Sequence, residues 1–206
     1  MTQIISKLCL IGFAALMTAC ASGPPRHASV PDSSKPNLPA GVLAALPDRA
    51  SFHQQDPRWA KHTLGGSGEA LSSDGCLVTA TAMALSNLGF TTNPGDLNAR
   101  LKKQGGYNRQ GWLVWSGIER VTGGRAKARF YKTADIAHVR ACLADGFYPL
   151  VKFKLPSRRS HWAMVVQDRK NGLYVRDPMV TSTVPIPLSA RASGIDAVRC
   201  VGVERV

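Results

Sequence analysis

The chain has little acid. Thirteen Asp and Glu stand against 26 Lys and Arg, a formal charge of +13. Cysteine is also sparse, five in 206 residues, which is an odd count too low and too scattered for a disulfide scaffold. Aromatic residues make up 7%. No run of ~20 apolar residues occurs, which excludes a polytopic membrane protein. There is no Cys-x-x-Cys and no His-Glu-x-x-His, and the five His show no ligand spacing, so no metal or other cofactor is expected. No Gly-rich phosphate loop is present, and no basic stripe interleaved with aromatics, so nucleic acid is not an expected partner. What remains is ordinary globular composition, 44% apolar and 19% charged, with enough length for one domain of roughly 150 residues and its own core.

The N-terminus reads as an address. Lys7 precedes an apolar stretch from Leu8 to Ala19, followed by Cys20. As a helix this stretch spans about 18 Å, short of the ~30 Å hydrocarbon core, so residues 1–19 read as a signal peptide. Small residues before a Cys resemble a bacterial lipobox, which implies lipidation of Cys20. Ala21 and Ser22, with no Asp after the Cys, resemble an outer-membrane-destined lipoprotein. The expected location is the cell envelope, at the periplasmic face of the outer membrane. Residues 20–50 hold six of the 13 prolines and read as an extended tether, with at most a short helix at Gly41–Leu46.

A folded domain is expected over 51–206. Apolar periodicity and stop signals predict helices at Leu77–Leu88, Pro94–Gln104, Trp112–Val121 and Thr133–Asp145. Strands are predicted at Lys127–Tyr131, Tyr148–Leu155, His161–Gln167, Leu173–Asp177 and Val198–Glu204, with a hairpin turn at Lys170-Asn171-Gly172. Helices first and strands second is an α+β layout.

Four short segments carry chemistry. Ser73-Asp74-Gly75-Cys76 places Cys76 at the mouth of an apolar helix, where open N–H groups and the helix dipole favour a thiolate nucleophile. A buried structural thiol is the alternative for a single Cys. Ser160-His161-Trp162 opens an apolar strand with a candidate general base, His161. Across the hairpin, Val175-Arg176-Asp177-Pro178 brings Asp177 toward the His161 end of the ladder, where a carboxylate can fix the imidazole tautomer. Asp168 is nearer in sequence but sits at the far end of that strand. Gln54, in Gln54-Gln55-Asp56-Pro57-Arg58-Trp59, offers an N–H donor for an oxyanion, with the Cys76 amide as the second. Trp112 and Trp115 fit either a cleft or a core. Cys142 and Cys200 fit either a disulfide or two buried thiols.

Together Gln54-x-Asp56-x-x-Trp59, Gly75-Cys76-x-x-Thr79-x-x-Ala82-Met83 and His161-Trp162-x-x-x-Val166…Val175-x-Asp177-Pro178 resemble the papain-fold cysteine peptidases. The branch they resemble most is that of the bacteriocin-processing, double-glycine leader peptidases, family 39. The resemblance implies a papain-like fold and a peptidase with Cys76 as nucleophile, His161 as base, Asp177 as orienter and Gln54 as oxyanion donor. The implied partner is a peptide or protein substrate, cell-wall peptide included. After Cys76 the chain has Leu77-Val78, where the family often has Gly or Pro. A cell-wall amidohydrolase or acyltransferase using the same triad, and an inactive papain-fold binding protein, are the rival readings.

Overall fold

The computed structural model describes residues 38–204. The signal segment 1–19, Cys20 and most of the expected tether lie outside the described residues. Within them, the elements run β1 (Val42–Ala45), α1 (Leu71–Asp74), α2 (Cys76–Asn87), α3 (Pro94–Lys103), α4 (Ser116–Val121), β2 (Lys127–Phe130), α5 (Ile136–Ala144), β3 (Tyr148–Lys154), β4 (Ser160–Arg169), β5 (Gly172–Arg176), β6 (Ile186–Pro187), a 3₁₀ turn (Leu188–Ala190) and β7 (Ala197–Gly202). This is the expected α+β class, with most helices ahead of most strands and one strand, β1, ahead of the first helix.

The sheet is antiparallel, in the order β2-β7-β3-β4-β5-β6. Alternation along its strands separates two cores. Leu150, Met164, Val166 and Val201 face α2, whose Ala80, Met83 and Leu85 are fully or almost fully buried against them. Val151, Ala163, Val165 and Val198 face the other way, toward α5 and its Val139 and Leu143. α2 is apolar nearly all round because it is enclosed, and Gly89, at φ +91°, ends it where a side chain would be strained. Asn93 caps α3 by accepting from the Asp96 amide, and Pro94 occupies the first turn.

Three expectations need correction. Gly41–Leu46 is no helix: Val42–Ala45 is a strand that pairs with Gln167–Arg169 of β4, and the Leu46 amide donates to the Val166 carbonyl at 2.9 Å. The folded body therefore begins before Ser51, and the segment expected as a tether reaches no further than residue 41. Asp48 reinforces this through a bidentate pair with the buried Arg176, whose remaining donors hold the Ser182 and Thr183 carbonyls. Trp112–Trp115 is not helical: Tyr107 and Leu113 bridge, Gly111 has φ +77°, and α4 starts at Ser116. α5 starts at Ile136, capped by Asp135, three residues after the expected start at Thr133.

Of the two readings for Cys142 and Cys200, the structure shows the disulfide, joining α5 to β7 across a sequence separation of 58. Cys76 is the free cysteine among the described residues.

Candidate active site

Cys76 is the first residue of α2. Its N-cap is Gly75, which contributes no side-chain cap, so the first-turn amides remain open around the thiol. The preceding turn, α1, is folded back so tightly that a Cβ on Gly75 would collide with the Leu71 carbonyl, Cα and side chain. The Gly75 amide donates to the Leu71 carbonyl at 2.9 Å. Glycine is therefore needed here for close approach.

His161 enters from β4. It is 2% exposed, pairs in register with Phe153, and meets that ring edge-on at 5.3 Å. Its Nε2 lies 2.7 Å from Asp177 Oδ1. That leaves Nδ1 as the nitrogen toward Cys76. Burial opposes charging the ring, yet the hydrogen bond to Asp177 and the influence of the Cys76 thiol outweigh it, and the His161 pKa is raised to about 9.

Asp177 follows the last residue of β5. Burial works against its charge, but the His161 bond, the Met179 amide and Arg191 hold its pKa below the ordinary carboxylate value. Oδ1 accepts from His161 and from the Met179 amide at 2.7 Å, and Oδ2 accepts from Arg191 Nε at 2.8 Å. Met179 and Arg191 had no signal in the sequence: one acts through its backbone, the other reaches back from just beyond the 3₁₀ turn. Asp168 lies at the opposite end of β4, paired with Arg140 at 2.8 Å and with no contact to His161.

Gln54 is 1% exposed and lines the same small cavity as Cys76 and His161, of about 160 Å³. Its Nε2 donates to the Ser72 carbonyl at 2.8 Å, which uses one of the two amide hydrogens and leaves the second for another acceptor. Its backbone amide donates to the Pro178 carbonyl at 2.8 Å, tying it to the residue after Asp177. The four residues singled out in the sequence thus converge from four segments of chain. On the other side of Cys76 a second cleft, of about 440 Å³, is lined by Trp112, Trp115 and Trp162.

No family model and no curated protein matches the chain. Among solved structures, a protein assigned as a C39-like peptidase from Bacillus anthracis matches with a TM-score of 0.50 at 14% identity, over 79% of this chain and 99% of that one. The fold is that of C39-like, papain-type peptidases. In this chain α2, which opens with Cys76, packs against β4, which carries His161.

Proposed function

We propose that the protein is a cysteine peptidase that hydrolyses peptide or amide bonds, with Cys76 as nucleophile. The observation that carries this is the buried hydrogen bond, 2.7 Å long, from Asp177 to His161, a residue lining the cavity that also holds the one free thiol among the described residues. In this reading the His161 imidazolium stabilises the Cys76 thiolate, and the thiolate attacks the scissile carbonyl. The second Gln54 N–H and the Cys76 amide receive the oxyanion. His161 Nδ1 then protonates the leaving amine, giving a thioester. Water, deprotonated by His161, hydrolyses the thioester and regenerates the thiol. Asp177 stays ionised throughout and holds the ring.

The Cys142–Cys200 disulfide supports action in an oxidising compartment. A disulfide closes the body away from the thiol, and such bonds persist in the periplasm. We place the protein in the cell envelope, anchored through lipid on Cys20. Multiple acyl chains make such an anchor stable.

The test is a fluorogenic peptide library, with peptidoglycan fragments included, run alongside an electrophilic thiol probe. Cleavage and probe labelling by the wild type, both lost in Cys76→Ala, with turnover abolished equally in His161→Ala, support the proposal. Turnover surviving in folded His161→Ala protein overturns the assigned base. Probe labelling without cleavage of any substrate favours a non-hydrolytic role. Cys20→Ser protein that still partitions into detergent overturns the anchor.

A further inference from the structure

The cleft on the tryptophan side of Cys76 has more chemistry than hydrolysis requires. Trp112 is 71% exposed, a large apolar surface left in water. It is not loose. The Asn108 carboxamide accepts from the Trp112 amide at 2.9 Å, the Asn108 amide donates to the Trp112 carbonyl at 3.0 Å, and Gly111 takes the left-handed backbone that closes the turn. A rigid loop therefore presents an unpartnered indole beside the nucleophile. The cleft floor is aromatic as well: Trp115 and Trp162 meet edge-on, centroids 6.1 Å apart.

Two cations share this cleft. Lys152 pairs in register with Trp162, and Arg199 pairs with Leu150, two residues along the same strand from Lys152. Register pairs and i, i+2 neighbours share a face, so Lys152, Trp162 and Arg199 all rise from the α2 side of the sheet. Neither cation is ion-paired with a described residue, whereas Arg58, Arg129, Arg140, Arg176 and Arg191 all are. Arg199 gives Nη1 to the Tyr131 and Val198 carbonyls, and its Nε is buried without a partner. The acid lining the cleft, Asp74, is on the Cys76 side, 4.0 Å from Arg159. Positive charge is thus concentrated on the sheet floor, next to the aromatic wall.

We infer that this cleft selects a peptide segment carrying a large aromatic or aliphatic side chain, taken up between Trp112 and Trp115, next to an acidic side chain held by Lys152 and Arg199. The inference rests on the peptidase reading for its substrate but is a statement about binding. The acidic group supplies the counter-charge the two cations lack, and burial against low-dielectric indoles strengthens that attraction. The apolar group covers the exposed indole, the kind of contact that dominates peptide recognition.

Binding and turnover are measured separately. Fluorescein-labelled peptides that differ only at two adjacent positions, Phe-Glu, Phe-Lys and Ala-Glu, are titrated by polarisation against Cys76→Ala protein. The same peptides, quenched, are offered to the wild type. Phe-Glu should bind tightest. Trp112→Ala, which removes an exposed side chain, should weaken it by about tenfold. Lys152→Glu should weaken Phe-Glu by about fivefold and strengthen Phe-Lys. Equal binding of Phe-Glu and Phe-Lys, unchanged by Lys152→Glu, overturns the charge assignment. No effect of Trp112→Ala overturns the aromatic one. Binding of Phe-Glu without cleavage by the wild type leaves the inference standing and counts against the peptidase. Cleavage of other peptides, with no such preference, does the reverse.

Discussion

Arg191 donates Nε to Asp177 Oδ2 at 2.8 Å, on the carboxylate oxygen that His161 leaves free. The carboxylate is thus clamped on both sides, and His161 inherits its orientation. Asp177→Asn keeps the shape but weakens the hold on an imidazolium. Turnover should fall, though by less than the roughly 10⁴-fold that the equivalent change costs a serine triad, because a thiol ionises more readily. With the His161 pKa at about 9, the alkaline limb of kcat/KM should lie near that pH in the wild type and move down in Asp177→Asn. Arg191→Met should give a smaller loss, partly restored by Arg191→Lys. An alkaline limb that does not move in Asp177→Asn would show that Asp177 does not hold the charged ring.

Stability should follow the same groups. A raised His161 pKa contributes stability that is complete below the unfolded value of about 6.5 and disappears as pH rises through about 9. The lowered Asp177 pKa contributes stability present above the unfolded carboxylate value and lost as pH falls through its folded one. The Tm difference between wild type and His161→Gln should therefore shrink as pH goes from 6.5 past 9. A constant difference across that window is the contrary result.

Gly75→Ala should both destabilise the fold and misplace the thiol. The added Cβ meets backbone atoms of Leu71, which cannot rotate away. A cost of about 1–3 kcal/mol is expected from such overpacking. Denaturant melts and thiol-probe rates measure the two effects. A variant with wild-type stability and labelling would mean that the α1–α2 turn relaxes freely.

Asp48→Ala should cost about 3 kcal/mol, because it strands the guanidinium of Arg176, whose side chain is 8% exposed. A chain begun at Ser51 should suffer more, losing also the β1–β4 pairing and the Tyr148 hydroxyl bond to the Pro47 carbonyl. Urea melts compare the three proteins. A Ser51-start chain as stable as the longer one would assign residues 42–50 to the tether.

Opening the Cys142–Cys200 bond by a double Ala substitution should cost about 4 kcal/mol on the chain-entropy account for a loop of this length. Turnover at 25 °C should survive, since the bond lies on the α5 face.

The elements around the site were legible where local pattern and tertiary role agree. The apolar run from Leu77 to Leu85, stopped at Gly89, encodes a buried helix, and Lys170-Asn171-Gly172 encodes the turn between β4 and β5. β1 was not legible. Its four residues sit among prolines, and their strand state is fixed by the end of β4 that extends past β3, far along the chain. Trp112-Leu113-Val114-Trp115 has an apolar run that a helix or an extended segment fits equally, and the Tyr107–Leu113 bridge decides. Cys76, His161 and Asp177 stood out by their position beside Gly, Pro or a strand start. Arg191, in Ala190-Arg191-Ala192-Ser193-Gly194, looks like any surface arginine, and only the fold brings it to Asp177.

The single hydrogen bond that the Gln54 amide donates to the Pro178 carbonyl has a wider consequence. It fastens the segment carrying the proposed oxyanion donor to the segment carrying the Asp177 carboxylate, so neither can be retuned without disturbing the other. Substitutions that reshape the 178–185 loop would therefore be paid for in catalytic geometry. The Trp112 turn is different. It is held mainly by Asn108 within its own loop and touches neither the carboxylate nor the imidazole. Variation that diversifies what descendants of this protein act on has an open route there, and a closed one on the opposite bank of the cleft.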